Sequence, residues 1–326
     1  MMNTRENYLA FLNHEPVDWI PVLGVDMYML GGQAETWENG PVGQEGLDGF
    51  GNNWVPTEGA NGQPALDPKI IPITDVCDWE NQLVLPDLDA IDWQSYADQQ
   101  LAQVDRNEKV VEYHTWNSTY LRLGHLLGFE EALCAFYEEP EATLALCEKL
   151  ADYKIALLER VNHYLKPDTY VHYDDVATAR SLFMSPEIYR KFIKPAHTRM
   201  NNAAREMGII PEIHICGKCE DIIEDVIEEG SVAWQSAQPS NDLVGILEKY
   251  GDKISVLGGY DTQGAPGQMD AAPEVVEQEV IRCMREYGQF GKSYGFFGFK
   301  MGGMDPALFV CAVREGHACI ERLKNA

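Results

Sequence analysis

From residue 110 onward, short apolar runs alternate with longer stretches whose apolar positions recur every three to four residues, the mark of strands alternating with amphipathic helices. Strand-like runs fall at 110–116, 169–173, 209–216, 232–235, 254–257 and 294–299. Helical spacing fills the gaps, at 129–164 with a break near Pro140, from Ser185-Pro186-Glu187 to about Met207, and at 219–229, 242–250 and 274–287. A closing helix is expected over 305–324. Upstream, 3–12 reads as a short helix capped by Thr4, 16–25 as a turn into a first buried strand, and 90–106 as helical. Between 31 and 86 the periodicity is lost and Gly, Pro, Asn and Asp accumulate. Short strands near 51–57 and 70–74 are expected there, in a lid-like segment. The alternation, with one or two further units near the N-terminus, predicts one α/β domain over 1–326: a (β/α)8 TIM barrel with an irregular N-terminal segment.

Active sites of such barrels lie at the carboxyl ends of the strands. Those ends carry Asp26 and Tyr28, Trp116, Asp174 and Asp175, His214 and Cys216, Gln235, Tyr260 and Asp261, and the 299–301 region. Asp175 and Asp261 are candidate catalytic carboxylates, and Asp26, Tyr28, Trp116, Gln235 and Tyr260 are candidate pocket residues. Singly, each aspartate can also be read as a helix cap or turn residue, Asp174 more readily than Asp175 or Asp261. The stretch 209–216 says more. Its period of two places Ile213 and Ile215 on one face and Glu212, His214 and Cys216 on the other, with Cys219 just past Gly217. Sulfur with imidazole is the ligand set that suits zinc, and the helix that follows favours thiolate over thiol.

Composition narrows the partners. The chain has 25 Lys+Arg against 52 Asp+Glu, a net charge of −27, which disfavours binding to nucleic acid or to anionic membranes. No run approaches the roughly 20 apolar residues of a membrane span, and the first residues lack the apolar core of a signal peptide. The eight cysteines are scattered, as expected of reduced thiols in a cytoplasmic protein.

Several motifs, in order, resemble the uroporphyrinogen decarboxylase superfamily. They are Thr4-Arg5-Glu6 with Glu15-Pro16-Val17-Asp18-Trp19-Ile20-Pro21-Val22, Asp174-Asp175 followed by Ser185-Pro186-Glu187, His214-x-Cys216-Gly217, and Gly258-Gly259-Tyr260-Asp261. The resemblance implies a (β/α)8 barrel and two chemistries. Decarboxylases of the superfamily carry an arginine-rich segment after the first strand, where this chain reads Gly24-Val25-Asp26-Met27-Tyr28-Met29-Leu30 with no arginine. The other branch, similar to methylcobalamin:coenzyme M methyltransferase, uses zinc held by a His-x-Cys pair and a late cysteine. His214 and Cys216 match the pair, but the late cysteine would fall near 300–303, where none stands, and Cys311 lies in a helical pattern. Cys219 is then the first choice for third ligand by type and proximity, with Glu212, Asp175 and Asp261 open.

The resemblance therefore implies a zinc-dependent methyltransferase working with cobalamin carried by a corrinoid protein. Trp54, Tyr113, Trp116, Tyr260, Phe296, Phe297 and Phe299 lie near strand ends or loops. Core packing explains at least half of them, yet a pocket lined by the rest suits a methylated organic substrate such as a methoxyarene, demethylated at oxygen. Transfer from methylcobalamin to a thiol, uroporphyrinogen-type decarboxylation and a non-catalytic zinc- or ligand-binding barrel are the alternatives. A homodimer is left open.

Overall fold

The computed structural model describes residues 1–31, 35–41, 44–56, 64–300 and 313–314. With strands numbered in chain order, a seven-stranded parallel sheet runs β1 (Met27–Gly31), β5 (Val110–Thr115), β6 (Thr169–Tyr173), β7 (Ile210–His214), β8 (Ala233–Ala237), β9 (Ser255–Gly259) and β10 (Tyr294–Phe297). Helices between consecutive strands cover the outside, among them Thr119–Leu127, Pro140–Tyr164, Lys194–Glu206, Leu243–Tyr250 and Pro273–Tyr287. β5, β6, β8 and β9 are buried at every position and β7 at every position but Ile210, as parallel strands covered on both faces are.

The sequence predicts eight strands; the described residues form seven in this sheet. The difference lies in the first strand, expected to end near residue 25. Gly24 takes a left-handed φ of 77°, and the N–H groups of Val25 and Asp26 both turn back to the Val22 carbonyl. This turn cuts the strand in two. Val22 bridges in parallel to Phe296 on β10, and Met27–Gly31 pairs with β5, so one piece of chain joins the two ends of the sheet.

A second sheet is antiparallel and small: β2 (Gly46–Leu47), β3 (Asn53–Pro56) and β4 (Pro64–Leu66). Residues 70–74, expected as a strand, form none; they lead into the short turn Val76–Asp78. The described parts of the 31–86 segment are fastened to the barrel by buried charges. Arg122, fully buried, meets Asp48 Oδ2 at 3.0 Å and donates to the Glu38 carbonyl at 2.6 Å. Lys154 pairs with the Glu38 carboxylate and donates to Thr115 Oγ1 and to the Trp116 carbonyl. The expected closing helix and Cys311 lie outside the described residues, Val313 and Arg314 excepted. Among the described residues no helix is long and apolar enough to cross a membrane.

Candidate metal centre at the mouth of the barrel

Strand register decides which side chains meet. Tyr173 pairs with His214 across β6 and β7, so the residues just beyond, Asp175 and Cys216, emerge side by side at the carboxyl ends. The ligand atoms of Asp175, His214 and Cys216 lie within 4.8 Å of one another. Cys216 Sγ is 3.4 Å from His214 Nε2 and 3.1 Å from Ser236 Oγ, and the Cys216 N–H donates to Asp175 Oδ1 at 2.6 Å. Two ligands on a tetrahedral zinc, with Zn–N near 2.0 Å and Zn–S near 2.3 Å, stand about 3.5 Å apart, so the His214–Cys216 spacing fits such an ion. Two backbone distortions hold this arrangement. Gly217 has φ 92°, and Ser236 has φ 63° at an irregularity in the β8–β9 pairing.

The centre forms part of the wall of a cavity of about 680 Å³ whose lining includes Met29, His114, Trp116, Asn117, Tyr173 and Phe297. Tyr173 stacks on His214 at 4.0 Å and lies 4.8 Å from Trp116, so a wall of rings leads to the ligands. No lysine or arginine is among the described lining residues. Burial sets the protonation states. It pulls His214 down to about 3, helped by repulsion from His114, and pulls His114 down to about 4. The imidazoles are therefore neutral, the form that coordinates a cation. Burial first, then the Asp175 charge, pushes the Cys216 thiol up to about 12, and burial pushes Asp175 up to about 6 against the pull of the Cys216 N–H.

The other residues singled out from sequence sit elsewhere. Cys219 is buried in the apolar core beside Ile222 and Ile223, where the chain turns into its helix, and its N–H donates to Asn241. Glu212 points into the barrel but below the cavity. There the Gln235 amide donates to both Glu212 and Glu112, and burial raises both carboxyls, Glu112 also through the neighbouring Glu212 charge. Asp261 caps its own turn, accepting from Gln263 and Gly264. Tyr260 is buried and donates to the Pro266 carbonyl. Asp26 precedes β1 instead of following it, so it lies at the opposite end of the strand from the mouth. It accepts from the Val22 N–H and pairs with Arg314. Tyr28, next along β1, has Lys109 over its ring. Trp54 packs edge-on to His125, and Tyr113 donates to Glu35. Sequence reasoning passed over His114, Asn117, Tyr173 and Ser236. His114 and Tyr173 were within reach, since the same period of two aligns His114 with Trp116 and Tyr173 with Asp175.

Comparison with known proteins agrees with this architecture. A methylated-thiol–coenzyme M methyltransferase from Methanosarcina mazei is 25% identical over 166 residues, 50% of this chain but only 41% of that protein's length. A solved methyltransferase from the same organism superposes with a TM-score of 0.74 over 98% of this chain and 100% of its own, at 14% identity, a likeness of fold. The sequence profile of the family described as Uroporphyrinogen decarboxylase (URO-D) matches residues 118–297, more than half of the chain and the stretch that carries β6 to β10 with Asp175, His214 and Cys216. The chain belongs to the uroporphyrinogen decarboxylase family.

Proposed function

We propose that this protein is a metal-dependent methyltransferase that moves a methyl group between a small methylated organic substrate and the cobalt of a corrinoid protein. The observation that carries the reading is the convergence of His214, Cys216 and Asp175 on one point of an aromatic-lined cavity at the barrel mouth. Asp175 replaces Cys219 as the proposed third ligand, giving an N, S, O set suited to zinc. Zinc bound there with an open position would supply Lewis acidity toward the sulfur or oxygen that carries or receives the methyl group.

The chain's own residues do the rest. Trp116, Tyr173 and Phe297 present ring surfaces that hold an apolar methylated group and exclude water, and the lack of a cation in the described lining gives a polycarboxylate nothing to grip. That lining favours a methoxyarene donor, O-demethylated, over porphyrinogen decarboxylation. The M. mazei relative's name supports the thiol as the second reading, with the methyl group passing to or from sulfur at the same centre.

The test is direct. The purified protein is expected to bind one zinc at this centre, lost in His214→Ala and Cys216→Ser, and to methylate cobalt(I) cobalamin from methoxyarenes with a change in cobalamin absorbance. Turnover with methylated thiols alone would select the second reading. Wild-type activity in a Cys216→Ser protein shown to lack the metal would overturn both.

A further inference from the structure

A second convergence lies outside the barrel wall, between β6, the helix Lys194–Glu206 and the end of the helix Ile223–Glu228. We propose that His172, His197 and Glu229 form a second, structural site for a divalent transition-metal cation of the zinc class. Their ligand atoms lie within 4.8 Å of one another and all three residues are fully buried. His197 Nδ1 is 3.5 Å from Glu229 Oε1, about the separation of two ligands on one tetrahedral ion.

Two independent features point to a ligand. The first is His172. Neither of its ring nitrogens makes a well-formed hydrogen bond, though the Asn201 side chain approaches the ring, and Glu229 Oε1 has His197 Nδ1 only at the long distance of 3.5 Å. With Asn201 able to serve at most one nitrogen, the other is sealed from water without a partner, which is costly and seldom seen in native interiors. The second is orientation. His197 Nε2 lies 2.8 Å from Asp174 Oδ2, and Asp174 is itself held by the Tyr120 and Leu121 N–H groups at the start of the helix Thr119–Leu127. A carboxylate behind one ring nitrogen fixes the tautomer that aims the other nitrogen's lone pair, the support that metal-bound histidines usually have. Tyr189 donates to Glu229 Oε2 at 2.8 Å and steadies the carboxylate in the same way, its oxygen also lying 3.3 Å from His197 Nδ1, a contact that a bound cation would replace.

The competing account is an imidazolium bridging two carboxylates. It suits His197, whose burial is outweighed by Glu229 and Asp174 so that it rises to about 9, but it leaves His172 with no more than an Asn201 contact. Cation binding would displace the proton from His197 Nδ1 into solvent and give His172 a bond.

The experiment uses the full chain, refolded with cobalt(II) in excess and freed of loose metal. Wild type is expected to hold two equivalents and Cys216→Ser one. The remaining ion should show tetrahedral cobalt absorption without sulfur-to-cobalt charge transfer. His172→Phe, which fills the space without a ligand, should lose that ion and keep the sulfur-bound one. A Cys216→Ser protein that is folded, melts cooperatively and holds no cobalt overturns the proposal even if His172→Phe fails to fold. A wild type holding one ion that survives Cys216→Ser would support it while sinking the centre at the barrel mouth.

Discussion

Gly217 sits between a proposed ligand and the loop it packs on. Its φ of 92° disfavours a side chain, and a Cβ there would come within 2.5 Å of the Thr178 carbonyl. Gly217→Ala should cost about 1–3 kcal/mol in denaturant unfolding and weaken metal binding, because relief of the clash moves Cys216. Unchanged stability and metal content would remove the glycine from the account. Much at this scale was legible in the sequence: alternation alone put His214 and Cys216 on one wall, and the strand-end rule named Asp175. It could not place Cys219, since spacing does not say that a left-handed residue at 217 sends the next turn into the core. Nor could it place Asp26, whose end of the strand depends on the turn at Gly24.

Among elements, the contrast is between the barrel and the segment before it. Helices and parallel strands declared themselves because each buries a regular face. The strands of the small sheet are two to four residues long and pair across gaps in sequence, so no local pattern reveals their partners. What secures this region is also non-local: Lys154 and Arg122 reach from barrel helices to Glu38 and Asp48. Lys154→Met strands a buried carboxylate and is expected to cost about 3–5 kcal/mol, whereas Lys154→Met with Glu38→Leu should recover most of the loss. Equal losses in the single and double variants, read by thermal or urea unfolding, would show that the charges do not act as a pair.

For the molecule as a whole, buried acids shape the response to pH. Burial lifts Glu35 to about 8, against hydrogen bonds from Tyr96 and Tyr113, so it is neutral in the folded chain near pH 7 and ionised in the unfolded one. The stability it confers is complete below about pH 4.5 and is lost as pH rises toward 8. Relative to Glu35→Gln, wild-type stability should therefore fall with rising pH across that window, at up to about 1.4 kcal/mol per pH unit. Parallel profiles for the two proteins from pH 5 to 8 would refute this. The split first strand bears on a different property. The hoop of strands is riveted by the Val22–Phe296 bridge, through two backbone hydrogen bonds, from Leu23 to Phe296 and from Phe296 to Pro21. β6 and β7, which bring Asp175, His214 and Cys216 together, lie well inside the sheet and away from that rivet, while Met29 and Phe297 flank it. Breathing along this line would widen the entrance to the cavity while Asp175, His214 and Cys216 stand still.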